Sequence, residues 1–261
     1  MTQINYHFKL NTIFVLILLG CFATPAFSLM DPHMQSPIPD TGQTGDYTTT
    51  FGEDSDYNFN PMSFTKLDAS GASLPDSASD WAMVKDNVTG LIWEAKKAHD
   101  YTPDYNNIHD ADNTYTWYDI NPDTNGGVEG TPGDKTDTLD FINAMNSEKL
   151  GGFADWRMPT KQELNSILNL GRSNPAVDTT YFSNTAPSYY WTANTVAAFP
   201  DNAWKVDFTD GVEYYHPKSS DGYHVRAVRG GQSRLSGSSI ANSNFIISSD
   251  NTTVLYSFPE K

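Results

Sequence analysis

Apolar positions in this chain fall in short groups whose spacing changes along the sequence. Met83-Val84 and Leu91-Ile92-Trp93 flank Asp86-Asn87-Val88-Thr89-Gly90, which predicts strand, turn and strand. Leu139, Ile142 and Met145 recur at helical spacing, so a first helix is expected over about 136–148, capped by Thr136 or Asp137. Residues 151–164 read GGFADWRMPTKQEL. Thr160 and Glu163 stand at capping-box spacing, and Leu164, Ile167 and Leu168 follow on one face. They predict a second helix over 160–170, entered through Pro159 and stopped by Gly171.

Beyond that helix the period falls to two. Tyr189 to Ala193 is one expected strand; Trp204, Val206 and Phe208 alternate with Lys205 and Asp207 in a second. Asp210-Gly211 then turns the chain into Val212 to Tyr215, and Tyr223 to Arg229 supplies a last strand. Strand pair, loop, two helices and an antiparallel meander define an α+β domain over 81–231. Its segment 98–135 reads as one long polar loop, of the kind that carries function. Residues 29–80 read as an irregular arm with a few short strands. Its Tyr47, Phe51, Tyr57 and Phe59 are expected to dock on the main body. The extension 232–261 contains NFIISSDNTTVLYSF, either a terminal pair of strands or the remnant of a second hairpin copy.

The ends and the composition bear on location. Lys9 precedes the apolar run TIFVLILLGCFA, followed by Ala26-Phe27-Ser28, so residues 1–28 read as a secretory signal peptide. Leu18-Leu19-Gly20-Cys21 leaves the alternative of a lipoprotein tethered to a membrane through Cys21. Cleavage after Ser28 removes the only cysteine, which excludes disulfides, thiol nucleophiles and cysteine zinc sites from the mature chain. With 32 acidic against 16 basic residues and a formal charge of −16, broad electrostatic binding of nucleic acid or polyanionic glycan is disfavoured.

Chemistry-bearing motifs are few. No hydrolase elbow, zincin motif, phosphate loop or dinucleotide fingerprint occurs, and no catalytic residue is assigned. Asp119, Asn121, Asp123, Asn125 and Glu129 alternate oxygen side chains around Gly126-Gly127. That arrangement suits calcium, which takes about six to eight oxygens, although the EF-hand spacing is absent and a polar turn is the simpler account. Asp54 and Asp56 form a lesser candidate of the same kind, and His99 and His109 flank the long loop. Tyr189, Tyr190, Trp191, Tyr214 and Tyr215 offer rings on which a sugar can stack, provided the sheet leaves them exposed.

Several phrases together carry a resemblance: VKDNVTGLIWE (84–94), GGFADWRMPTKQEL (151–164), YYWTANT (189–195), AWKVDF (203–208) and YHVRAVRGG (223–231). With DTGQT (40–44), GEDSDY (52–57) and DTTYF (178–182) they resemble the family DUF1566, the Lcl C-terminal domain of the legionella collagen-like adhesin. The resemblance spans about residues 40–231 and implies a bacterial exported protein with a C-type-lectin-like fold and no known catalytic residue. Glycosaminoglycan binding, associated with that adhesin, suits so acidic a chain poorly.

Family members commonly carry a cysteine in the first helix and one in the last strand. Met145 and Ala227 stand at those positions, a long side chain facing a small one, and are expected in contact. In a lectin-like fold Trp156 is expected to be buried between the second helix and the strands, with Asp155 and Arg157 paired nearby. Arg226 and Arg229 are expected on acidic partners. The alternative gives Arg157 to a ligand's carboxylate or sulfate. The chain thus reads as an exported, non-enzymatic binding or adhesion module for a glycan or an envelope or host protein. The alternatives are a structural component of the cell envelope and, behind it, an enzyme, since the lectin-like fold also carries formylglycine-generating oxidases, whose reactive cysteines the mature chain lacks.

Overall fold

The structure, a computed structural model, describes residues 37–219 and 222–230, with the backbone of 245–247 and 254–256. The expected signal segment, Cys21 and most of the C-terminal extension lie outside the described residues. Three strands open the body: β1 (Phe64–Leu67), β2 (Met83–Asp86) and β3 (Ile92–Glu94). Two helices follow the long loop, α1 (Thr138–Glu148) and α2 (Lys161–Asn165). Then come β4 (Tyr189–Val196), β5 (Phe199–Asp207), β6 (Glu213–Pro217) and β7 (Val228–Arg229).

β7 returns to β3, giving a four-stranded antiparallel sheet in the order β1-β2-β3-β7, while β4-β5-β6 is a separate antiparallel meander. Two helices and two antiparallel sheets make the fold α+β. Strands β8 (Phe245–Ile247) and β9 (Val254–Tyr256) pair as a hairpin, so the extension holds the terminal pair of strands.

Local chemistry sets the boundaries. In the β2–β3 turn, Asp86 Oδ1 accepts the Val88 and Thr89 amides, the Thr89 hydroxyl donates to Oδ2, and Gly90 takes φ +75°. Asp137 caps α1 by accepting the Asp140 amide at 2.9 Å, and left-handed Lys149 closes it. Thr160 and Glu163 complete the capping box of α2. That helix is shorter than expected, because the Ser166 hydroxyl donates to Glu163 O and diverts the chain from helical pairing. Leu164, Ile167 and Leu168 are still buried on one face.

The expected last strand is mostly a crossing segment. His224 bridges Tyr190 in the meander and Tyr223 bridges Tyr115, whereas only Val228 and Arg229 join the larger sheet. This stretch stitches the two sheets together.

Apolar side chains gather in two clusters. Trp81, Val84, Trp93, Leu164, Tyr190, Val206 and Phe208 belong to the first; Met83, Tyr115, Phe141, Met145, Trp156, Trp191, Val225 and Ala227 to the second. Consecutive residues split between them, Met83 from Val84 and Tyr190 from Trp191, so each sheet buries both faces. α2 enters the first cluster through Leu164 and α1 the second through Phe141 and Met145. Met145 and Ala227 are fully buried in that same second cluster.

The arm is held by its backbone and not by its rings. Leu170 N donates to Thr41 O and Asp40 N to Asn60 O, whereas Tyr47, Phe51 and Phe59 are each at least 74% exposed and Tyr57 40%. The expected docking of these rings is therefore corrected. Tyr57 packs between Phe51 and Phe59, at centroid distances of 5.4 and 5.7 Å.

Candidate binding surfaces

The Asp155-Trp156-Arg157 segment is a structural pin. Trp156 is 2% exposed, and its Nε1 donates to Leu150 O at 3.2 Å. Asn146 on α1 clamps its backbone twice, accepting Trp156 N at 2.8 Å and donating to Trp156 O at 2.9 Å. The ring sits in the α1 cluster, so its expected place beside α2 is corrected: the partner helix is the one whose Asn146 reaches it.

Arg157 and Asp155 do not pair with each other. Arg157 forks onto Glu163 at 2.8 and 2.5 Å and reaches Gly230 O, while Asp155 takes Arg229 at 2.7 and 3.2 Å. Glu163 is held below the usual carboxylate range by Arg157 and the Thr160 amide, against the burial that would raise it. A guanidinium so occupied has little left for a ligand. Arg226, expected on an acidic partner, donates instead to Glu94 O and Thr185 Oγ1.

A buried ionic cluster joins the long loop to the sheet and to α1. Glu94, with no exposed surface, receives Lys96 Nζ at 2.9 Å, His109 Nδ1 at 2.8 Å and Ala227 N at 3.0 Å. The other His109 nitrogen lies 3.1 Å from Glu148 of α1. Burial alone would raise Glu94, yet Lys96 and His109 beside it bring its pKa down to about 2. Burial alone would lower His109, yet the two carboxylates raise it above its ordinary value. His99 faces Asp112 at 3.5 Å, so each loop histidine is spent on carboxylates.

The expected calcium loop is closed by its own lysine. Asp119 Oδ2 accepts Lys218 Nζ at 2.6 Å and the Thr124 hydroxyl at 2.8 Å, and Lys218 is 2% exposed with its ammonium 4.5 Å from the Trp117 ring. Asn121 and Asn125 oxygens accept the Asp123 and Gly127 amides within the turn. The charge that calcium would supply to Asp119 is already present. Asp123 and Glu129 do not join Asp119 in a metal-holding group; among the described residues, no three His, Cys, Asp or Glu side chains converge in that way. Asp54 and Asp56 are likewise used in turns, on the Thr41 hydroxyl and on the Gly52 and Glu53 amides.

The aromatic candidates divide. Tyr190 and Trp191 are fully buried, which removes them from any surface, because the meander carries core on both faces. Tyr189 is spent on Lys205, whose Nζ lies 3.6 Å from its ring centre and 3.9 Å from that of Tyr223. Tyr214 and Tyr215 remain 44% and 47% exposed, on opposite faces of β6.

Tyr215 is the centre of a ledge that the sequence reading missed. Phe199, 52% exposed, stacks beside it at 5.9 Å and 23°, and Trp204, its register partner on β5, meets it edge-on at 5.6 Å. Lys161 Nζ lies 4.4 Å from the Trp204 ring centre and 2.6 Å from Glu213. Asn165 Nδ2 also donates to Glu213, leaving its own Oδ1 without a hydrogen-bond partner. Phe199 and Trp204 come from β5, Lys161 and Asn165 from α2, and Tyr215 from β6, so no local pattern could have grouped them.

The arrangement defines an α+β module whose buried charges are engaged in its interior and whose open aromatic surface lies along a strand pair. The family model of the Lcl C-terminal domain matches residues 82–229, and the chain belongs to that family. It is thereby placed among modules associated with a cell-surface adhesin. No curated protein and no solved structure matches the chain.

Proposed function

We propose that the chain is an exported, non-enzymatic recognition module on a lectin-like scaffold, binding neutral glycans through the Phe199–Trp204–Tyr215 ledge. One observation carries this reading. Tyr215 and Phe199 stand open, and Tyr215 lies within 6 Å of both Phe199 and Trp204, beside a polar rim of Lys161, Asn165 and Glu213. Ring faces take the C–H surface of a pyranose, and the rim supplies donors and acceptors for its hydroxyls. Neutral ligands fit better than sulfated ones, since Lys161 is already paired and the chain carries a formal charge of −16.

A glycan panel probed with the exported protein tests the proposal. Tyr215→Ala and Phe199→Ala are each expected to weaken neutral-oligosaccharide binding by about tenfold, the equivalent of about 1.4 kcal/mol. Equal binding by both folded variants rejects the ledge. The second reading, an envelope assembly component, draws on the exposed rings of the arm. It predicts that Phe51→Ala and Phe59→Ala impair retention in the envelope while leaving the glycan panel unchanged.

A further inference from the structure

Away from the ledge, the long loop folds against α1 and leaves a cleft of about 210 Å³. Its floor is made by Tyr115 and Phe141, 5.1 Å apart and each at most 2% exposed. Tyr105 stands edge-on to Tyr115 at 5.8 Å and 88°, and its hydroxyl is tied to Thr114 O at 2.9 Å. Pockets for drug-sized ligands run to about 300–1,000 Å³, so this cleft admits one ring with a short substituent.

Its rim favours acceptors on the ligand. Lys135 Nζ donates to Asn106 Oδ1 at 3.0 Å, which uses one of the three ammonium hydrogens and engages the Asn106 oxygen while its NH₂ takes no part in that bond. Asp140 has part of its accepting capacity engaged, since its oxygens take the Gly133 amide at 2.8 Å and the Lys135 amide at 2.7 Å. Those bonds also hold Lys135 at φ +70°, a left-handed conformation that costs a non-glycine residue energy and fixes where its side chain starts. An all-hydroxyl ring would leave donors unpaired against the aromatic floor. A carboxylate would meet Asp140 at the rim. A neutral group combining a methyl with a carbonyl oxygen satisfies both halves of the site.

We propose that this cleft binds the acetamido group of a single N-acetylhexosamine residue. The methyl and one ring face lie on Tyr105, Tyr115 and Phe141, and the carbonyl oxygen faces Lys135 and Asn106. The site is independent of the ledge.

Titration of the full exported chain with chitotriose and with maltotriose, followed by NMR, tests it. Chitotriose is expected to bind at least about tenfold more tightly than maltotriose at this site. Ala144→Phe, which fills the cleft from α1, and Lys135→Met, which keeps the side-chain stem, are each expected to weaken chitotriose binding by at least about tenfold. Tyr215→Ala leaves the resonances of Lys135 and Asn106 responding to chitotriose as in the parent. Lys135→Met changes an exposed side chain and keeps the test open should Ala144→Phe fail to fold. Equal affinity for the two sugars, no response at about 10 mM chitotriose, or binding unchanged in Lys135→Met overturns the proposal.

Discussion

Changing Glu94 to glutamine removes one negative charge from the interior at almost no change in volume. In the parent its carboxylate receives Lys96, His109 and the Ala227 amide, all within 3.0 Å, with no solvent access. With its oxygen at the Oε1 position glutamine still accepts Lys96 and His109 but turns an NH₂ toward the Ala227 amide, and it leaves the Lys96 ammonium, itself 3% exposed, without the Glu94 counter-charge. Breaking a buried pair from one side costs about 3–5 kcal/mol, a large share of the about 5–15 kcal/mol that holds a domain folded. At about 2–4 °C per kcal/mol for a domain of this size, the midpoint should fall by about 6–20 °C. Urea unfolding followed by tryptophan fluorescence measures the free energy, and calorimetry the midpoint. Adding Lys96→Met to the variant removes the stranded ammonium and should restore at least half of the loss. A single variant losing less than about 1 kcal/mol, or a double variant no better than the single, would refute the ionic account of this cluster.

Further outcomes follow from the same geometry. Stability should rise with pH from about 2 to 4.5 as Glu94 ionises, since its folded pKa lies below the unfolded value. His224, pushed down to about 4 mainly by its burial, continues that rise up to about 6.5. His109, raised by Glu94 and Glu148 against its burial, gives stability present below about 6.5 and lost as pH climbs through its folded pKa. His109→Gln should therefore flatten the alkaline arm of a denaturation–pH profile. Trp156→Ala, which empties a ring site 2% exposed, should cost about 3–5 kcal/mol in urea unfolding. Thr160→Ala should cost about 1 kcal/mol through the lost cap of α2. Calcium at about 1 mM should leave the thermal midpoint unmoved, because Lys218 already neutralises Asp119.

What the sequence disclosed was local. The Asp86 turn, the Asp137 cap and the Thr160–Glu163 box each involve residues within three or four positions, and each forms as its spacing predicts. Burial of Tyr190 beside Trp191 was not legible, because alternation identifies a buried face only when the other face meets water, and here both meet core. The Glu94–His109–Glu148 bridge spans separations of 15 and 39 residues, and nothing in the spacing links them. Lys218 lies 99 residues from Asp119, so the acidic loop looked ready for an external cation that the chain itself supplies. The ledge was half legible. Tyr215 stood out as a strand aromatic, but its exposure depends on β6 being the edge of its sheet.

The most direct test of the recognition reading is the indole N–H resonance of Trp204 in the intact protein during titration with neutral oligosaccharides such as maltotriose. It should shift progressively and saturably, together with amides of Phe199 and Tyr215, and the response should vanish in Tyr215→Ala. A bound oligosaccharide without acetamido groups that leaves all three resonances in place would contradict it.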